Sequence, residues 1–335
     1  MDAVMTVCGI LMCCDESIID LAFGRGYKIR KIAFEELPFK DKVTNGQGSL
    51  SIDYFGSRLF EDGKLFFMCI ERETTIQLVG PQFTGGMQVF TDKDLLCQEE
   101  ISQRTNEEMK YLNRIINLLR LFKPGNIGFF EVFFTFRFKS LGIINNTVNN
   151  SSCNKTRNTL DARRFTLTDQ EVDPCNGFIA DYINAPYTLL ENSINEFSWG
   201  LEQVDIATGF EQYTTALEMI LLGQNQAGKK QALANRVAAL IGKDQTEITM
   251  LYKKMTEFYR YRSESLHEGD GTNISKAELE DMEEIVRRVI NACLQCCKLE
   301  LASNPSITWE TVKSGLIGRL KNKVLVLKTQ GVLPA

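Results

Sequence analysis

At 335 residues and a net charge of -5, the chain is long enough for two domains and too acidic overall to attract nucleic acid by charge alone. A hydrophobic share of 44%, a charged share of 24% and only seven prolines exclude collagen-like and broadly disordered readings. Ten cysteines scattered over this length do not resemble the framework of a small secreted domain, and they point to reduced thiols and a cytoplasmic location.

The apolar opening, residues 3–14, is too short to span a bilayer, and Asp2 stands where a signal peptide would be basic, so neither export nor a membrane partner is expected. Strands are predicted over 27–34, 64–70, 74–79, 87–90 and, most clearly, 127–138. There Val132, Phe134, Phe136 and Phe138 alternate with Glu131, Thr135 and Arg137, the pattern of a strand with one buried face. Between them a helix is predicted over 106–122, with Met109, Leu112, Ile116 and Leu119 on one face and Thr105 with Glu108 as a capping box. Lys123-Pro124-Gly125 ends it, and the Asn-, Ser- and Thr-rich stretch 145–158 reads as an exposed loop. Residues 1–185 are therefore expected to form a mixed or β-rich domain.

From Thr208 the pattern becomes helix after helix. Thr208 with Glu211, Asp244 with Glu247 and Ser275 with Glu278 each offer an acceptor at the N-cap and a carboxylate at N3. The helices that follow carry apolar stripes: Phe210, Tyr213, Leu217 and Leu221; then Leu233, Val237, Leu240 and Ile241. The third has Ile248, Leu251, Met255, Phe258 and Tyr259, and the fourth Met282, Ile285, Val289, Cys293 and Cys296. Four amphipathic helices with short connections predict a bundle over 195–301, and the fold class is α+β. Cys293, Cys296 and Cys297 extend the last stripe and have no second pair at zinc spacing, so they read as core. Residues 305–335 form a helical extension whose Lys313, Arg319, Lys321 and Lys323 either contact RNA or cap the bundle, packing being the favoured reading.

At about 100° per residue, Arg262 falls inside the apolar stripe of the third helix. A guanidinium there needs a carboxylate, a ligand phosphate or a cleft open to water, and Glu218 on the first helix is the candidate carboxylate. His267, the only histidine, lies at the C-terminus of the same helix, before Glu268-Gly269-Asp270-Gly271. The helix dipole and these acids favour its imidazolium, raising the pKa from an ordinary value of about 6.5 toward working pH. Ser263, four residues before His267, shares its face. Proton transfer by histidine and charge stabilisation by arginine suit attack of a ribose 2'-hydroxyl on its neighbouring phosphate. One histidine does not easily serve as both base and acid, so a twofold dimer joining two such helix ends is expected.

Arg262-Ser263-Glu264-Ser265-Leu266-His267 is an Arg-x4-His motif, and it resembles the HEPN superfamily of nucleotide-binding helical domains. The runs 215–221 and 233–240, then Leu251-Tyr252 and Tyr261-Arg262-Ser263, are similar in order and spacing to its Apea-like branch, over about residues 197–301. The resemblance implies a dimeric, metal-independent endoribonuclease with no cofactor, acting as a toxin or in antiviral defence. It implies catalysis by Arg262 and His267, with Ser263 at the variable polar position. Glu218, Glu264 and Tyr261 are expected to support them, and Lys253, Lys254 and Arg260 to contact RNA, unless these cations form a solvated face with Glu257, Glu264 and Glu268. The expected partners are RNA, a second copy of the chain, and an antitoxin or viral trigger protein. Glu268 departs from the glycine that Apea-like domains carry after the histidine, and Gly269 from the tyrosine of some toxin members. The alternative is a catalytically silent dimerisation, RNA-binding or sensor module.

Overall fold

The computed structural model describes residues 2–37, 60–61, 64–78, 92–138, 144–145, 163–223, 226–268 and 274–334, and of residues 60–61, 92–97, 138, 144–145 and 266–268 the backbone alone. The chain divides into two units, residues 1–180 and 181–335. The fold is α+β: an antiparallel sheet belongs to the first unit, and the second is helical in its described residues.

The apolar opening is the centre of the sheet. Strand β1 (Asp2–Met12) pairs antiparallel with β4 (Lys64–Gln77) on one side and with β5 (Gly128–Phe138) on the other. The order is β2 (Lys28–Ala33), β4, β1, β5, β6 (Ile144–Asn145), and the two-residue β3 (Phe60–Glu61) pairs with β4. The two strands expected over 64–70 and 74–79 are one as far as Gln77, since Glu71, Arg72 and Glu73 continue the ladder opposite Cys8, Val7 and Thr6; residue 79 lies outside the described residues. The expected strand 87–90 and most of the expected loop, 146–158, lie outside the described residues, whereas Asn145 pairs with Phe136.

Both faces of this sheet are covered. Cys8, Ile10, Ile32, Phe67, Cys69 and Phe133 form a buried cluster. Phe133 thus overturns the expectation that β5 buries one face only, since Val132, Phe134 and Phe136 are also fully buried. Burial of each such phenylalanine contributes about 1.5–3 kcal/mol, so a two-sided core outweighs the loss of simple alternation. Helix α1 (Asp92–Phe122) begins nearly four turns before the expected start. Thr105 is therefore no N-cap but a buried mid-helix residue, and Glu108 leaves the helix backbone alone. Its Oε1 accepts from Arg72 Nη1 at 2.5 Å, and its Oε2 accepts from the Tyr27 hydroxyl. After β5 comes α2 (Asp169–Tyr182), an element sequence reasoning did not anticipate; Thr168 and Glu171 cap it and Lys123 Nζ binds Glu171 Oε2 at 2.7 Å.

The second unit contains α3 (Ala185–Glu202), α4 (Ile206–Leu221), α5 (Lys229–Ile241), α6 (Gln245–Glu268), α7 (Lys276–Ser303) and α8 (Trp309–Thr329). Helix α3, also unanticipated, lies against α4 and α7. Its approach to α4 requires Gly200, because a Cβ there would stand 2.4 Å from Tyr213 Cε1. The cap of α4 is Asp205, whose Oδ2 accepts from Thr208 N at 2.7 Å, so Thr208 is not the N-cap the sequence suggested. Ser275 and Glu278 do form a reciprocal capping box. Asp244 caps α6 through Glu247 N at 2.9 Å, but Glu247 accepts from Lys243 N instead of completing the box. Lys313 of α8 donates to Met219 O at 2.6 Å and Arg236 of α5 to Leu221 O at 2.5 Å; both thereby satisfy carbonyls at the end of α4. Cys293 and Cys297 are buried within α7. No helix among the described residues is long and apolar enough to cross a membrane.

Candidate functional site

The last third of α6 faces α4, and two carboxylates of α4 meet it. Glu211 and Glu218 are seven residues apart, close to two helical turns, so both point to the same side of α4. On α6, Arg262 and Ser265 are three apart and likewise share a face. Arg262 Nη1 donates to Glu218 Oε1 at 3.1 Å, and Ser265 Oγ donates to Glu211 Oε1 at 3.0 Å. Phe210 and Phe258 pack edge to face beneath them with ring centroids 5.3 Å apart.

This arrangement is electrostatically crowded. The Arg262 side chain is 20% exposed and that of Glu218 is 16%, and Lys229 Nζ at the start of α5 lies 4.0 Å from the same carboxylate. The Tyr259 ring lies under the guanidinium, 5.7 Å from its carbon, and burial followed by the charge of Glu218 pushes its phenol pKa up. Arg262 Nε is buried and has no hydrogen-bond partner among the described residues. An orphaned buried donor costs about 1–3 kcal/mol, so this group is set up to gain from an acceptor.

No family model, no curated protein and no solved structure matches the chain. The site must therefore be judged from its own residues.

Glu218 stands where the sequence placed it, opposite Arg262. Helix α6 ends at Glu268, so His267 occupies its final turn, and its side chain lies outside the described residues. Ser263 is exposed, whereas Ser265 is the serine that joins the Arg262 face. Tyr261 is buried and donates to Glu257 Oε1 at 2.9 Å; that carboxylate, with burial and Glu278, pushes the phenol up to about 12. Glu264 accepts from Arg260 Nη1 at 2.8 Å, on the outer side of the helix. Of the three cations expected to contact RNA, Arg260 is thus paired, Lys254 Nζ binds Asp281 Oδ2 at 2.5 Å, and Lys253 is exposed.

Sequence reasoning missed Glu211, Ser265, Tyr259 and Lys229. The seven-residue spacing of Glu211 and Glu218 was a usable signal, because two acids on one face of an apolar helix must meet donors elsewhere. Among the described residues, no three His, Cys, Asp or Glu side chains converge as a ligand set for a metal ion.

Chemically, Glu218 accepts from one terminal nitrogen of the guanidinium, and Nε is left without an acceptor among the described residues. A planar, permanently charged fork suits a phosphoryl group, to which it can offer two parallel N–H donors. The carboxylate also lowers the net charge offered to such a group, so an incoming anion competes with Glu218 for the fork.

Proposed function

We propose that the chain is a metal-independent endoribonuclease of HEPN type, with Arg262 and His267 as its catalytic residues. The observation that carries the proposal is the half-buried Arg262, held by Glu218, on the helix whose last turn bears the single histidine. In the reaction, the ribose 2'-oxygen attacks the adjacent phosphorus, and the bond from phosphorus to the 5'-oxygen breaks. One His267 takes the 2'-hydroxyl proton; the second, from the other chain of a homodimer, protonates the departing 5'-oxygen. The products are a 2',3'-cyclic phosphate and a 5'-hydroxyl end. Arg262 stabilises the additional negative charge on the pentavalent phosphorus, the role a preoriented donor performs best. Action in the cytoplasm, in antiviral defence or as a toxin held by an antitoxin or released by a viral trigger protein, completes this reading.

Purified protein incubated with single-stranded and structured RNA in EDTA is expected to release 2',3'-cyclic phosphate ends. Arg262→Ala and His267→Ala are each expected to slow release by roughly 100-fold or more. Cleavage that requires a divalent metal, or survives in both variants, rules the assignment out.

A second reading has its own support. Arg260, Arg262 and Lys254 are all paired with carboxylates, and Glu268 follows His267, so the end of α6 offers RNA little free positive charge. On this reading the bundle is a silent dimerisation or sensor module, and the same RNA incubation yields no cyclic phosphate with the unsubstituted protein.

A further inference from the structure

Glu218 of α4 stands between two cations that come from different helices. Its Oε1 accepts from Arg262 Nη1 of α6 at 3.1 Å, and its Oε2 lies 4.0 Å from Lys229 Nζ of α5. Lys229 is the first residue of α5, placed there by Gly228, whose φ of +61° is a region glycine enters without a Cβ penalty. Helices α5 and α6 pack together, and the shared carboxylate marks where their two cations approach each other.

The two contacts differ in kind. The Arg262 bond is of hydrogen-bonding length and largely withdrawn from solvent, whereas 4.0 Å exceeds the 3.2 Å or so at which an ammonium donates. The Lys229 side chain is 51% exposed and forms no hydrogen bond among the described residues. An exposed pair at this separation contributes little to stability, so the ammonium keeps its donors for another acceptor.

One carboxylate therefore serves an arginine and a lysine, and an excess of positive charge remains at this point. The other acid on that face of α4, Glu211, is about 10 Å away along the helix axis and is engaged by Ser265. At that distance salt weakens its influence. A carboxylate presents two oxygens to two donors; a phosphodiester, also a monoanion, presents its two unesterified oxygens in the same way. Glu218 thus fills the position in which a phosphodiester would bridge the same two cations.

We propose that Lys229 and Arg262 together form a subsite for a phosphodiester of single-stranded RNA, and that the Glu218 carboxylate is an internal competitor which the phosphate displaces. Taking RNA as the source of that phosphate rests on the ribonuclease reading. Arg262 turns its fork from Glu218 to one phosphate oxygen, and Lys229 closes on the other. Lys229 then holds the strand and moves no proton, so its loss raises KM more than it lowers kcat.

Fluorescence anisotropy of the full chain with a short, labelled 2'-O-methyl oligouridylate tests this, because the blocked 2'-oxygen prevents cleavage and leaves binding to be read by itself. Lys229→Gln is expected to weaken binding about fivefold and to reduce the slope of log affinity against log salt by about 0.7, the value for one lost contact to a single strand. Lys28→Gln, the same charge change on an exposed residue of β2, is the control and should leave the slope unaltered. Glu218→Gln is expected to tighten binding about threefold or more, since the competing charge is gone. A carboxylate that only orients Arg262 would give the opposite sign. Should Glu218→Gln fail to fold, Lys229→Gln decides alone, because its side chain is exposed. No binding by the unsubstituted chain, a Lys229→Gln slope equal to the control's, or weaker binding by a folded Glu218→Gln overturns the subsite. If the binding results hold but unmodified RNA yields no cyclic phosphate, the ribonuclease reading falls and the subsite stands.

Discussion

At the residue scale, the ion pair of Glu218 and Arg262 sets both stability and reactivity. Each side chain is mostly withdrawn from solvent, so removing one strands the other's charge, a far larger penalty than the loss of a surface pair. Glu218→Ala is accordingly expected to destabilise the second unit by about 1–3 kcal/mol, less than for a fully buried pair because of the remaining exposure. Chemical denaturation checks this, with Glu218→Leu/Arg262→Leu as control: the double substitution removes both charges and should recover most of the loss. If the double variant is as unstable as the single one, packing rather than unpaired charge governs the position. The pairing itself was legible in the sequence, since an arginine within an apolar stripe demands an acid and Glu218 lies on the facing stripe. The bond of Ser265 to Glu211 was not, because serine is at home in water and nothing in its spacing requires a partner.

At the element scale, local patterns succeeded where they fell at a true helix start. Ser275 and Glu278 close a capping box although Tyr261 and Lys254 also act on the carboxylate, whereas the same pattern at Thr105 and Glu108 lies inside a longer helix. There the carboxylate is drawn to Arg72 and Tyr27, partners remote in sequence. Strand β1 escaped notice because a strand covered on both faces loses its period of two. Thr168 and Glu171 form a junction with a measurable consequence. The hydrogen bond from Lys123, then that from the Thr168 backbone, lowers the Glu171 pKa from an ordinary 4.5 to about 2. A carboxyl whose folded pKa is depressed contributes fully above pH 4.5, and that contribution is lost as pH falls through about 2. Lys123→Met is expected to move the Glu171 titration back toward 4.5, followed by the chemical shift of its carboxyl carbon. An unaltered titration would mean that Lys123 does not hold the charge.

At the scale of the whole molecule, the decisive question is whether one chain can complete the reaction. The chain has a single histidine, and cleavage by 2'-hydroxyl attack moves two protons, one off the nucleophile and one onto the leaving oxygen. If the two His267 side chains of a homodimer divide that work, a dimer of one unsubstituted and one His267→Ala chain lacks either the base or the acid and is inert. Subunit exchange between the two proteins then yields metal-free cleavage that falls as the square of the unsubstituted fraction. At equal mixing about one quarter of the dimers remain complete, as random pairing across a twofold interface requires. A site completed within one chain would retain half of the activity instead, falling in proportion to dilution. Because both proteins share every residue except one, differences in folding or RNA affinity do not imitate a quadratic decline, and a linear decline would remove the need for the second chain while leaving Arg262 and His267 in place.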